Sequence, residues 1–192
     1  MDSVIPAATI TAITGATDNA IITMQGQTVI EMLEEFLGVL LIKRDISDEK
    51  ITLPYGFSRV IKPKFAPINS VSKLEVITRE GTYKANTDTL SIGTYVIELL
   101  PRFWSWFGWP YPILPKAVSA VKLSYNAGYF SSWSEFPAIL QSAALELLKY
   151  KYASDLKAGF HSEHLGDYSY TKGALVRGLP VEIASSLEGL VL

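Results

Sequence analysis

The sequence of 192 residues contains no cysteine and only two histidines. The absence of cysteine excludes disulfide bonds, thiolate metal ligands and cysteine nucleophiles, and it is compatible with a reducing compartment. His161 and His164 lie near Glu163 and Asp167, and a three-residue spacing places two imidazoles on one side of a helical turn, as a metal site requires. However, glycines flank this segment and no motif supplies a third ligand, so exposed loop histidines are the favoured interpretation.

Long hydrophobic runs are also absent. The longest unbroken apolar run, Val39–Ile42, is far shorter than the roughly 20 residues that span a bilayer, and no basic segment followed by an apolar stretch opens the chain. We therefore expect neither a membrane span nor a secretory signal. Yet 48% of the residues are hydrophobic and the mean hydropathy is +0.21. Because a monomer must cover itself with polar groups, we expect the excess apolar surface to be buried in an oligomer.

Motifs of enzyme sites are missing as well. The sequence contains no glycine-rich phosphate-binding loop and no nucleophile elbow. The string Ser70-Val71-Ser72-Lys73 matches a serine-x-x-lysine pattern, but the motifs that accompany it in enzymes are absent. The residues therefore give no support for catalysis. A small metal-dependent hydrolase built around His161, His164 and Asp167 is kept only as an alternative.

Helical periodicity is clearest from Pro137 to about Lys157. Apolar residues recur there at steps of three and four, and a proline suits the first helical turn; they are Leu140, Ala143, Ala144, Leu147 and Leu148. A second helix is predicted from Asp18, as N-cap, to Leu37. Its broad apolar stripe begins at Ile21 and Met24, and its complementary face carries Glu31, Glu34 and Glu35. A last short helix is predicted after Leu179-Pro180.

Prolines and glycines separate short alternating runs from about residue 40 to residue 129, which indicates antiparallel strands. The predicted strands are Leu40–Asp45, Ser58–Ile61, Ser72–Thr78, Tyr95–Leu99 and Val118–Tyr125. Residues 160–178 are polar and glycine-rich, and a loop or an extended arm is expected there. The prediction is thus an α+β fold in one domain, 1–192. It comprises a small helical bundle, an antiparallel β-rich insertion over 45–128, and a C-terminal arm with a short helix over 160–192.

Three of the four tryptophans fall in one short proline-containing stretch. Its aromatic residues are Phe103, Trp104, Trp106, Phe107, Trp109 and Tyr111. Such a cluster has one of four roles in proteins: it packs under a long loop, contacts another subunit, inserts at a membrane interface or stacks on nucleic-acid bases. Base stacking is disfavoured because only Arg102 and Lys116 flank the cluster. Packing under the loop is the ordinary interpretation, and a subunit contact is the next.

Charge is distributed unevenly although the formal net charge is only −2. Residues 1–50 carry a net charge of −5, residues 51–130 carry +5, and residues 131–192 carry −2. A basic middle between acidic ends suggests charge complementarity between neighbouring subunits or towards an acidic partner. Ordinary solvated faces explain the same pattern equally well.

Several segments, in order, resemble one known family. A Gly15-x-x-Asp18 step leads into the long helix, Pro67-Ile-Asn-Ser-Val-Ser-Lys-Leu74 lies in the β region, and that region closes as Val121-Lys-Leu-Ser-Tyr125-Asn-Ala-Gly-Tyr129. Pro137-Ala-Ile-Leu-Gln-Ser-Ala143, Leu165-Gly-Asp-Tyr-Ser-Tyr170 and Gly178-Leu-Pro180 follow. Together they resemble the head–tail connector, or adaptor, proteins of tailed bacteriophages. The resemblance covers nearly the whole chain, except that smaller members lack the long 45–128 region.

The resemblance implies a structural virion protein with no enzymatic activity and no cofactor. It implies a homo-oligomeric ring, a dodecamer when assembled, which binds under the portal protein and extends the DNA channel. Assembly would take place in the host cytoplasm, and double-stranded DNA would pass through the ring non-specifically. A downstream neck or tail protein would dock on the other side. The implied portal or intersubunit contacts lie between residues 165 and 192, namely Leu165, Asp167, Tyr168, Tyr170, Arg177, Leu179 and Leu187.

A channel that passes DNA should not attract phosphate strongly, because adhesion grows with each phosphate neutralised. We therefore expect the channel to be lined by neutral or acidic groups, with Glu31, Glu34 and Glu35 as candidates. Lys62 and Lys64 should then face outwards or towards a partner. A tail-completion or other neck protein is the alternative within virions. An alternative from another class of protein is a membrane-binding module that uses the tryptophan cluster.

Overall fold

The computed structural model describes residues 4–53, 60–78, 81–99, 118–152, 162–165, 168–171, 175–188 and 190. These residues form helices and antiparallel sheets, so the predicted α+β class is confirmed. The chain divides into two compact units. Met1–Gly38 and Ser132–Leu192 make up the helical unit, and Val39–Ser131 make up the sheet unit.

Four helices lie among the described residues of the helical unit: α1 (Ala7–Thr14), α2 (Asn19–Leu37), α3 (Ala138–Tyr152) and α4 (Val181–Leu187). Helix α2 begins after Asp18, whose Oδ1 accepts a hydrogen bond of 2.7 Å from the Ala20 amide. It ends at Gly38, which adopts the left-handed conformation with φ 71°. The predicted helix and its N-cap are therefore confirmed.

Helix α3 is the centre of the helical unit, because it contacts α1, α2 and α4. Its buried residues are the five that the periodicity predicts, namely Leu140, Ala143, Ala144, Leu147 and Leu148. Full burial of one leucine side chain contributes about 1.5–3 kcal/mol. The apolar face of α3 is thus a principal source of cohesion in this unit.

Helix α2 buries Val29 and Leu33, which belong to the predicted broad stripe, but not the two residues with which that stripe begins. Its buried residues are Ile22, Gln25, Gly26, Val29, Ile30, Leu33 and Glu34. The predicted stripe starts one position earlier, and one position corresponds to about 100° around a helix. As a result Ile21 and Met24 lie outside, with 44% and 57% of their surface exposed.

The described strands of the sheet unit form two antiparallel sheets. The first has the order β1-β7-β3-β4 and the second has the order β2-β6-β5. The strands are β1 (Arg44–Thr52), β2 (Val60–Ile61), β3 (Ile68–Thr78), β4 (Thr82–Ala85), β5 (Leu90–Ile92), β6 (Ile97–Leu99) and β7 (Val118–Ala127). Both sheets contribute to one core, which includes Ile61, Leu74, Val76, Ile97, Leu99, Val121 and Leu123.

Strand β1 is longer than the predicted strand and lies further along the chain. Its sequence, RDISDEKIT, is mostly charged, so it lacks the apolar alternation by which a strand is recognised. A bulge interrupts its pairing with β7 between Ile46 and Glu49, where Asp48 has φ 52°. Lys73 Nζ lies 3.0 Å from Asp48 Oδ1, and this hydrogen bond lowers the pKa of Asp48.

The chain enters and leaves the sheet unit at adjacent backbone positions. The Phe130 amide donates to the Leu41 carbonyl at 2.8 Å, and the Lys43 amide donates to the Phe130 carbonyl at 2.8 Å. Gly128, just before, has φ +125°, and a Cβ at this position would lie 2.4 Å from the Ile42 carbonyl oxygen. Only glycine allows this close approach.

Two further hairpins lie in the C-terminal segment, where the sequence predicts a loop or an extended arm. Strand β8 (Ser162–Leu165) pairs with β9 (Tyr168–Thr171), and β10 (Leu175–Val176) pairs with β11 (Leu179–Pro180). Over these strands the segment is not a loop, and the extended arm expected for 160–178 stays a prediction. In the second hairpin, Arg177 and Gly178 have φ values of 48° and 84°, as the two central residues of a type I′ turn require.

Gly128→Ala should destabilise the sheet unit by roughly 2–5 kcal/mol, because it adds backbone strain and a clash with residue 42. Gly81→Ala is the matched control: Gly81 also has positive φ, but no atom lies within 4 Å of its added Cβ. We expect the control to cost about 1 kcal/mol. Urea unfolding of both variants measures the difference, and equal losses would contradict the proposed clash.

Candidate functional site

The tertiary structure brings two of the family-like segments into contact. Asn69 Nδ2 donates to the Gly128 carbonyl at 2.8 Å and to Asn126 Oδ1 at 3.0 Å. Asn126 Nδ2 in turn donates to Asp45 Oδ1 at 2.8 Å. These side chains connect β1, β3 and β7 next to the point where the chain enters and leaves the sheet unit. Their role is architectural.

Tyr125 is the centre of a second polar network. Its ring is buried, with 1% of its surface exposed, and its hydroxyl donates to Glu49 Oε2 at 2.5 Å. The same hydroxyl accepts a hydrogen bond of 3.2 Å from the Phe65 amide, and Glu49 Oε1 accepts one of 2.9 Å from the Lys64 amide. The network therefore attaches the segment before β3 to strands β1 and β7.

Two tyrosines of the sheet unit, Tyr125 and Tyr129, have a raised pKa, which favours their protonated form. Burial, reinforced by the hydrogen bond to Glu49, raises the pKa of Tyr125 well above its ordinary value of 10. Burial and the hydrogen bond to Tyr95 raise the pKa of Tyr129 to about 12. A general base accepts a proton, so a tyrosine in that role would have to be deprotonated near neutral pH. These hydroxyls are therefore suited to structural hydrogen bonds.

The predicted acidic face of α2 is only partly present. Glu31 and Glu35 are exposed, whereas Glu34 is buried with 8% of its surface exposed. The prediction that Glu34 belongs to the polar face was wrong, because Glu34 lies beside Leu33 and Ile30 on the buried side of the helix. Glu31 Oε1 accepts a hydrogen bond of 2.8 Å from Gln27 Nε2. The row of exposed residues continues from there towards the N-terminus of α2 through Gln27, Met24 and Ala20.

The C-terminal candidate contacts have different environments. Arg177 is exposed in the turn between β10 and β11. Leu179 and Leu187 are 0% and 1% exposed, so they hold the hairpin and α4 in place from the inside. Leu165 lies in β8, Tyr168 and Tyr170 lie in β9, and Asp167 is outside the described residues.

Around the turn of that hairpin lies apolar surface that the sequence does not reveal. Leu175 is 58% exposed, Val176 is 38% exposed and Val181 is 39% exposed. In the sequence, a short apolar strand of two residues resembles a core segment. The strand with which it pairs, and the face that it exposes to solvent, depend on the tertiary fold. The Arg-Gly dipeptide between apolar residues is the one signal of a tight turn.

Lys62 and Lys64 are exposed in the sheet unit, and Lys64 Nζ lies 5.1 Å from the centre of the Phe65 ring. Arg44 lies 5.9 Å from the same ring. Cations at these distances are attracted to the aromatic face. The predicted aromatic cluster, from Phe103 to Tyr111, is outside the described residues.

The proposed histidine site cannot be built from the described part of the chain, since His161 and Asp167 lie outside it. Within that part, no three histidine, aspartate or glutamate side chains lie close enough together to hold a metal ion. Among the helices described, none is both long and apolar enough to cross a bilayer.

No protein-family model matches the sequence, and no curated protein matches it. Solved structures do match. A chain in the neck of an empty gene transfer agent (GTA) particle, computed with C6 symmetry, has a TM-score of 0.59 and 18% identity over 84% of this chain and 83% of that chain. A chain in the virion of a native GTA particle has a TM-score of 0.57 and 19% identity over 85% and 84%.

A third similar chain comes from the neck of a native GTA particle computed with C12 symmetry. Its TM-score is 0.53, with 19% identity over 83% of this chain and 84% of that chain. At such identities the likeness establishes a shared fold. That fold extends over more than four fifths of each chain.

Tyr125→Phe should lower the free energy of unfolding by roughly 1–3 kcal/mol, because it leaves partly buried partners of the hydroxyl unpaired. It should also weaken the alkaline pH dependence. A pKa raised by folding gives stability that is complete below pH 10 and is lost as the pH rises further. The variant lacks this group, so its stability should fall less above pH 10.

Urea unfolding at pH 8 and pH 10.5 measures both effects. Tyr129→Phe is the matched control at pH 8, because its hydroxyl bonds only the exposed Tyr95 among the contacts described. At pH 10.5 the comparison is with the wild type, because folding raises the pKa of Tyr129 as well. We expect the control to lose less than about 1 kcal/mol at pH 8. A Tyr125→Phe protein as stable as the control would show that the network does not stabilise the sheet unit.

Proposed function

We propose that this chain is a structural protein of a phage-like virion, a head–tail adaptor of the neck. It forms a ring under the portal protein, extends the DNA channel and offers a platform to the next neck or tail component. The observation that carries the proposal is the fold shared with chains in the necks of GTA particles over more than four fifths of each chain. The ordered family-like segments of the sequence are a separate, independent support.

Symmetry supports the ring. The similar chains come from necks computed with C6 and with C12 symmetry, and both are compatible with the dodecamer that the family resemblance implies. In a cyclic ring each subunit contacts its neighbours through two different surfaces. A chain whose ends are acidic and whose middle is basic has surfaces of the kind that such an interface uses.

The polar side chains of the described part of the chain agree with a structural role. Asn69, Asn126 and Tyr125 are occupied by contacts between strands. We therefore propose no catalytic residue and no cofactor. Function would reside in surfaces, with Arg177 and the segment around Tyr168 and Tyr170 as candidate contacts to the portal or to a neighbouring subunit. The aromatic cluster from Phe103 to Tyr111 is proposed as a further contact.

The DNA channel would be lined by acidic groups of α2. Glu35 and Glu31 are exposed and therefore available for this, whereas Glu34 is not. Lys62 and Lys64 would lie away from the lumen. An acidic lining repels phosphate, so DNA would move through without being retained.

Purified protein mixed with portal rings of the same particle should form a stoichiometric complex at physiological salt. Electron microscopy should show a ring of this chain at one end of the portal. Absence of any association would contradict the adaptor role. Association with the tail end in place of the portal would identify the chain as a tail-completion protein, which is the second candidate.

Glu35→Lys should make assembled rings retain double-stranded DNA, because each added cation near the path of the DNA neutralises phosphate. Wild-type rings should not retain DNA at physiological salt. Glu146→Lys, an exposed position of α3, is a control with the same change of charge. Gel-shift titration over increasing salt tests this, and equal retention by both variants would contradict a channel position for Glu35.

A further inference from the structure

Most of the exposed large apolar side chains of the helical unit lie on two surfaces. Nine large hydrophobic residues are exposed in the described part of the chain, and six of these belong to the helical unit. Two, Ile21 and Met24, lie on α2. Three lie on or beside the β10–β11 hairpin, namely Leu175, Val176 and Val181. Exposed apolar side chains that cluster can mark contact sites, so both surfaces are candidates for binding a partner.

The first surface is a shallow groove along α2, which we call the α2 groove. It is lined by Asn19, Ala20, Thr23, Met24, Gln27, Thr28 and Glu31. Several of its polar groups are already engaged within the helix. Thr28 Oγ1 donates to the Met24 carbonyl at 2.8 Å, and Gln27 donates to Glu31. The groove therefore offers the apolar side chains of Ala20 and Met24, set among polar groups, and a carboxylate at one end.

The second surface is the hairpin tip, which consists of Leu175, Val176, Arg177 and Val181. A two-residue type I′ turn makes it narrow, and the positive φ values of Arg177 and Gly178 place the arginine at the end of the hairpin. Leu179 is completely buried directly behind the turn, which anchors the hairpin to the unit. The tip thus presents apolar side chains next to one cation.

We propose that the hairpin tip of one copy occupies the α2 groove of the neighbouring copy. Leu175 and Val176 would cover Met24 and the adjoining Ile21, and the Arg177 guanidinium would pair with Glu31. The two surfaces complement each other both in polarity and in charge. Glu31 would then serve this contact, so that of the two exposed acids proposed for the channel only Glu35, one turn beyond, would line it.

A second copy is the occupant that the structure favours, because one chain carries both halves of the contact. Within the chain, α2 contacts α1 and α3, whereas the hairpin contacts α4, and both surfaces remain exposed. A contact between two different surfaces propagates from copy to copy, and it closes into a ring when the rotation that relates neighbouring copies divides a full turn. The inference therefore rests on the proposed ring and specifies its interface.

The absence of cysteine makes a clean cross-linking test possible. Met24→Cys and Val176→Cys are prepared as separate proteins, mixed, and assembled on portal rings and also alone at high concentration. A short bismaleimide should then yield dimers that contain one copy of each variant. Such dimers can only be intermolecular, because each protein carries one thiol.

Ile139→Cys is the matched control, since Ile139 is exposed to the same extent as Val176, 38%, and lies in the same unit. Mixed with Val176→Cys, it should give at least tenfold less dimer. Equal yields in rings that do assemble would overturn the inference and leave the adaptor role standing. Cross-linking of Val176→Cys to the portal, without dimers, would mean that the portal occupies the hairpin.

Dimers that form without any binding to the portal would support the interface and contradict the adaptor role. Neither dimers nor portal binding would contradict both proposals. The two failures are therefore distinguishable. Each outcome is read from the same gel and the same sedimentation experiment.

The charge pair has its own test. Arg177→Asp reverses the charge, and aspartate tolerates the left-handed conformation of the turn. It should weaken association between copies roughly two- to fivefold, the range of an exposed ion pair. Arg177→Asn keeps the turn and removes only the charge, so it should have a smaller effect. Combining Arg177→Asp with Glu31→Lys should restore the wild-type affinity in sedimentation velocity, and no recovery would overturn the pairing.

Discussion

The sheet unit depends on the close approach of Gly128 to the Ile42 carbonyl. Residues 128–131 can run beside residues 39–43 only because no side chain intervenes at Gly128. Asn69 holds the same glycine from β3, so three segments that are distant in sequence meet at one point. The strands that form the core of the two sheets lie between these segments in the sequence. This backbone contact therefore lies where the chain enters and leaves the sheet unit.

The polar residues at and near this junction form hydrogen bonds that hold the strands together. Tyr125 and Glu49 satisfy each other and two backbone amides, and Asn126 connects Asp45 with Asn69. A buried polar group without partners would cost about 1–3 kcal/mol, so such networks favour one strand arrangement. Among the described residues, exposed apolar side chains lie on α2 and on the C-terminal hairpin, as well as elsewhere in the chain.

Prediction from sequence succeeded where one period described an element. The five buried residues of α3 and the N-cap of α2 are of this kind, because a helix places every third or fourth residue on the same side whatever surrounds it. It was wrong for Ile21, Met24 and Glu34, because two rows of α2 are apolar and only packing decides which row turns inwards. It was incomplete for β1, whose charged residues pair through the backbone. The hairpins of the C-terminal segment were missed because their strands are at most four residues long.

By itself the sequence determined the α+β class, the helix positions and the order of the family-like segments, since these follow from local periodicity, capping and composition. Only the tertiary structure decided which contacts those segments make and which of their side chains are buried. It brought Asn69 to Gly128, buried Glu34 beside Leu33, and left Met24 and Val176 exposed. The physical reason is that burial and side-chain pairing depend on residues far away in the chain. A local pattern specifies the direction of a side chain only relative to its own helix or strand.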